Sequence, residues 1–127
     1  MTIAYWTVLA AAVMPILLAG IAKGGGASFD NRRPRRWLAA QTGWRQRANW
    51  AQQNGYEAFP PFAAAVIIAH QLDASRTAID TLALLFIACR ILYSAFYIFD
   101  LQALRSLAWL AGFGCVIGLF ITAIPSP

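Results

Sequence analysis

Four apolar runs, separated by short polar segments, organise the chain. Ile3 to Ile21 carries no charge and suits a membrane span of about 20 residues, with Tyr5 and Trp6 at one interface. A cleaved signal peptide would place basic residues ahead of this run; none precede it, so an uncleaved span is expected. The next apolar stretch begins near Trp50 and includes the wholly apolar Ala63 to Ala69. Pro60-Pro61 lies inside it, where a kink near Phe59 is expected. The third run is apolar apart from Arg90 and its neighbours, and the fourth opens on Arg105-Ser106 and ends at Pro125-Ser126-Pro127. The pattern predicts spans at about 3–22, 50–72, 77–99 and 103–124, an all-α integral membrane bundle of four transmembrane helices covering the whole chain as one domain.

Composition agrees with that pattern. Hydrophobic residues make up 60% of the chain, charged residues 12%, and the mean hydropathy is +0.57. Soluble domains carry about 25% charged residues, so the deficit selects an integral membrane protein in contact with lipid. The net charge is +5. The basic residues lie beside apolar spans, which argues against nucleic acid as a partner. Arg32, Arg33, Arg35, Arg36 and Arg45 fall in the long polar segment from Lys23 to Gln46, and by the positive-inside rule that side is cytoplasmic. The turn near Asp100 shares that side; both termini and the turn near Asp73 lie opposite. Binding of anionic lipid headgroups is a compatible second role for the arginines. Gly24-Gly25-Gly26 is not a phosphate loop, because no strand precedes it and no Gly-Lys-Ser/Thr follows. Cys89, Cys115 and His70 show no metal-ligand spacing; the cysteines read as small hydrophobes and the histidine as an interfacial polar residue.

The polar residues inside the apolar runs carry the candidate chemistry. At helical spacing Arg47, Asn54 and Glu57 fall within an arc of about 80°, with Trp50, Ala51 and Ala58 assigned to the opposite face. Arg90, Tyr93, Tyr97 and Asp100 form a second stripe, also within about 80°. Charges inside a span pair with one another, so Glu57 and Arg90 are expected to form an ion pair stitching the second span to the third. All these residues collect in the cytoplasmic half.

The Arg-Ala…Asn-x-x-Glu-x-x-x-Pro-Phe run and the Arg90…Tyr97 stripe followed by Arg105-Ser106 resemble the MAPEG family, the membrane-associated proteins of eicosanoid and glutathione metabolism. The short length and sparse loops resemble its bacterial members. The resemblance implies a homotrimer in the inner membrane, with periplasmic termini and glutathione held at protomer interfaces. It implies that Asn54, Glu57, Arg90, Tyr93 and Ser106 hold the tripeptide, with Arg47 the nearest further cation. It also implies that Arg105 activates the thiol, with Tyr97 as a hydrogen-bond donor to the sulfur. The implied activity is a glutathione-dependent transferase or peroxidase acting on lipophilic electrophiles. Where glutathione-using members carry two further arginines, this chain has Trp50 and Gln53, which leaves a non-catalytic lipid or hydrophobe binder as the alternative. A small transporter subunit or structural membrane protein is disfavoured, since the polar residues do not cross the midplane.

Overall fold

A computed structural model describes residues 1–25 and 28–125. Gly26 of the glycine run, and Ser126 and Pro127 at the end of the fourth run, lie outside the described residues. The chain forms α1 (Ile3–Lys23), α2 (Pro34–Ala39), α3 (Gly43–Gln71), α4 (Arg76–Ile98) and α5 (Gln102–Thr122). Three of the expected spans match α1, α4 and α5, and these three are long and apolar enough to cross a membrane. Only about a third of each apolar window is buried, 28–33%, so large side chains such as Trp6, Leu17, Leu92, Leu107 and Ile121 face outward. That is the surface expected of helices solvated by lipid.

Two expectations need correction. Five helices form among the described residues where four were expected: Pro34, at the first position of a turn where its missing N–H costs nothing, starts the short α2 inside the polar segment. The second expected span is longer than expected and is not among the apolar helices. It begins at Gly43 and runs through Pro60 and Pro61 to Gln71. Its first half carries Arg45, Gln46, Arg47, Asn49, Gln52, Gln53, Asn54 and Glu57, which dilute its hydropathy.

The core is formed where the apolar stripes of the helices meet. Phe62, Ala65, Val66 and Ala69 of α3 pack with Ile79, Ala83 and Phe86 of α4 and with Cys115, Val116 and Leu119 of α5. Phe62 and Phe86 stack with ring centroids 3.8 Å apart. Small residues let the helices approach, as packing in a membrane requires. At Gly55 an added Cβ would lie 2.9 Å from Cγ of Pro15, so α1 and α3 touch there through a glycine and a rigid ring.

Each end of the bundle is tied. At one end, Thr2 caps α1 by accepting from the Tyr5 N–H at 3.2 Å. The same hydroxyl lies 2.9 Å from Nε2 of His70, while Nδ1 of His70 bonds the Val66 carbonyl at 2.7 Å. The Ala4 N–H donates to Oδ1 of Asp80 at 2.9 Å. His70 is thus a packed side chain at this end of the bundle, stacked on Tyr5 at 4.1 Å. At the other end, Arg45 of α3 donates to the carbonyls of Ala22, Gly24 and Gly25, closing off the last turn of α1. Arg47 donates from Nε to the Ile98 carbonyl, the last of α4, at 2.9 Å. The segment around α2 and the turn at Asp100 therefore lie at one end, and the turn at Asp73 lies at the other, as the alternation of the apolar runs predicts.

Candidate functional site

α3, α4 and α5 enclose an outward-opening groove in the half of the bundle nearest α2. Its deep part is a cavity of about 140 Å³ lined by Asn54, Glu57, Ala58, Pro61, Phe86, Arg90, Trp109, Gly112, Phe113 and Val116. Two shallower recesses adjoin it. One is bounded by Trp50, Gln53, Asn54, Glu57, Tyr93 and Tyr97, the other by Asn54, Tyr93, Tyr97, Arg105, Ser106 and Trp109. Asn54 lines all three and so stands at the centre.

Seven of the eight expected site residues meet here: Asn54, Glu57, Arg90, Tyr93, Tyr97, Arg105 and Ser106. Arg47 does not. It sits two turns before Asn54, where α3 passes the end of α4, and its bond to Ile98 engages it there. Ala58 is not on the opposite face, since it lines the cavity beside Asn54 and Glu57, and nor is Trp50. Its spacing of four and seven residues from Asn54 and Glu57 puts it on their side, beside Tyr97 at 6.3 Å between ring centroids.

The expected ion pair between Glu57 and Arg90 is also corrected. No salt bridge within 4.0 Å forms among the described residues. Glu57 accepts instead from Nδ2 of Asn54 at 3.3 Å, one turn away on the same helix. Arg90 is 5% exposed and lies over the Tyr93 ring, 4.2 Å from its centroid. One turn on, Arg105 lies over the Tyr97 ring at 4.5 Å. Tyr93 and Tyr97 meet edge to face at 5.6 Å. The order along the groove is therefore guanidinium, tyrosine, tyrosine, guanidinium. Stacking orients each cation through the ring quadrupole while leaving the N–H edges available for acceptors.

One polar atom is left without a partner at the centre. Oδ1 of Asn54 is buried and accepts no hydrogen bond, although the amide nitrogen is engaged with Glu57. A buried acceptor in that state calls for a donor. Together with the Glu57 carboxylate it forms an acceptor pair suited to an ammonium or hydroxyl group, with two guanidinium groups for an anion on the opposite wall.

Over residues 3–125 the sequence matches the MAPEG family. The chain belongs to the MAPEG family. No curated protein and no solved structure matches it. A MAPEG chain with this groove also uses residues that the sequence pattern alone did not single out. Phe86 comes from the core, and Trp109, Gly112, Phe113 and Val116 form one face of α5, while Pro61, expected only as a kink, is exposed and lines the cavity. The spacing of three and four residues along α5 was the available signal. Gly55, which sets the closeness of α1 behind Asn54 and Glu57, carried none. A polar shelf lies over an apolar cavity: Phe113 is 45% exposed and Trp109 39%, so the cavity opens to the outside of the chain.

Proposed function

We propose that this MAPEG protein is a glutathione-dependent transferase or peroxidase acting on lipophilic electrophiles. The observation that carries the reading is the unpartnered Asn54 Oδ1 beside Glu57, facing Tyr93, Tyr97, Arg105 and Ser106 across one groove. Those residues fit glutathione. Asn54 and Glu57 accept from its ammonium group, and the N–H edges of Arg90 and Arg105 receive carboxylate or thiolate. Glutathione, when bound, supplies the thiol nucleophile, whose free pKa is close to the cysteine value of about 8.5. Arg105 favours the ionised sulfur because a guanidinium keeps its charge where water is scarce. The Tyr97 hydroxyl and Ser106 donate hydrogen bonds to the same atom. The cavity between Phe86 and Phe113 receives the apolar part of the electrophile from the membrane. Its volume is close to that of a cavity that admits benzene, about 150 Å³.

In this reading the protein is a homotrimer in the inner membrane, its termini periplasmic and its grooves completed at protomer boundaries. Arg105→Leu tests the chemistry: glutathione-dependent turnover of a chloronitrobenzene should fall at least tenfold, together with the thiolate absorbance, while the fold is kept. Arg105→Lys should fall between, since ammonium keeps the charge without the planar fork. Full rate in Arg105→Leu would transfer the role to Tyr97. A second reading, a binder of hydrophobic ligands without turnover, is favoured by the outer recess. Trp50 and Gln53 stand there, and its lining includes no basic side chain. Saturable binding of a lipophile with no thiol-dependent turnover would establish it.

A further inference from the structure

The basic residues at the α2 end of the bundle divide into two groups. Lys23, Arg45 and Arg47 are used inside the molecule: Arg45 and Arg47 hold the carbonyl ends of α1 and α4, and Lys23 lies over the Phe29 ring at 4.7 Å. Arg32, Arg33, Arg35 and Arg36 are all exposed, and among the described residues their side chains form no salt bridge. Asp30, the acid closest to them in sequence, accepts from the backbone N–H of Arg32 at 2.9 Å.

The segment bearing these four cations is fixed in place. Leu38 is buried with Ala22 and Ala48, with Trp37 and Ile98 packed against them. Phe29 meets Trp37 edge to face at 5.1 Å. The Gln41 side chain donates to the Trp37 carbonyl at 3.0 Å. Ala22 and Ile98 belong to the last turns of two membrane-length helices, α1 and α4, so α2 lies at the level where those helices leave the hydrocarbon. A tryptophan and a leucine turned inward and four guanidinium groups turned outward are thereby held at headgroup height.

We propose that the outward face of residues 32–36 is a docking surface for anionic membrane phospholipids, whose phosphodiester groups accept from these arginines. Topology alone needs only that positive residues lie on one side; it does not need a rigid shelf that keeps them free of internal partners. The fork of each guanidinium suits phosphate oxygens. Each cation near an anionic surface strengthens attraction about fivefold.

The test uses the full-length purified protein in nanodiscs of phosphatidylcholine with and without phosphatidylglycerol. The readout is the retained phosphatidylglycerol, counted by native mass spectrometry. The wild type should enrich the anionic lipid. Arg35→Gln with Arg36→Gln should weaken its apparent affinity by about 30-fold, with the rest of the chain unchanged. Arg35→Lys with Arg36→Lys should keep most of it. In pure phosphatidylcholine the glutamine pair should melt where the wild type does. Equal retention by the glutamine pair would overturn the proposal, and so would a lowered melting point in phosphatidylcholine, which would make these arginines structural. Binding of inorganic phosphate as tight as that of the lipid would show a site for soluble anions instead.

Discussion

The Asn54 carboxamide donates from its nitrogen to Glu57 and leaves its buried oxygen without a donor. A hydrogen bond involving a charged group contributes about 1.5–3 kcal/mol. Asn54→Ala should therefore weaken glutathione binding by about 10- to 100-fold in calorimetry, and a change under twofold would remove Asn54 from the ligand site. The neighbouring residue acts by shape. A methyl group at Gly55 would sit 2.9 Å from Cγ of Pro15, whose ring cannot swing aside. Gly55→Ala should cost about 1–3 kcal/mol of stability, measured by denaturant unfolding in detergent. Pro15→Ala in the same chain should restore much of it, which is the non-additivity expected of two groups in contact. These neighbours also show what a sequence displays. Asn54, Glu57, Arg90 and Tyr93 stand out because polar groups are rare in apolar helices. The reason for Gly55 lies forty residues away, on another helix. Arg47 was misread because helical spacing puts it on the groove's face and is silent on what the start of α3 meets.

Among the elements, the turns are decided by local geometry. Asp100 has φ +61°, in the left-handed region. The Leu101 N–H bonds the Phe96 carbonyl at 2.8 Å and the Asp100 N–H bonds that of Tyr97, a helix-ending pattern that glycine usually provides. Aspartate tolerates this conformation better than most residues. Asp100→Gly should leave stability equal or raise it by up to about 1 kcal/mol, and Asp100→Val should lower it by about 1–2 kcal/mol, read from unfolding midpoints. The long helices were legible because their apolar runs match the span length. The start of α3 was not: water-seeking residues there are drawn into the bundle by the carbonyl ends of α1 and α4, which α3 reaches through Arg45 and Arg47. α2 was missed because six residues hold too few turns to show a period.

In the whole molecule, the arrangement of ends leads to a labelling pattern. Ser28→Cys and Gln102→Cys should react with a membrane-impermeant reagent from one side, and Arg76→Cys only from the other. Reaction of Ser28→Cys and Arg76→Cys from the same side would contradict the bundle, in which α2 packs on Ile98 while Ala4 bonds Asp80. The clamps on α1 have a further consequence. Its 21 residues rise about 31 Å, close to the hydrocarbon thickness of about 30 Å. Free helices meet a thinner bilayer by tilting and a thicker one by snorkelling of their flanking residues. α1 is held to α3 and α4 at its beginning, through His70 and Asp80, and to α3 at its end, through Arg45. It is built as a strut of fixed length. The surrounding lipid must then stretch or compress to match it, so the melting temperature, followed through a series of acyl-chain lengths, should pass through a sharp maximum near that thickness and fall on both sides.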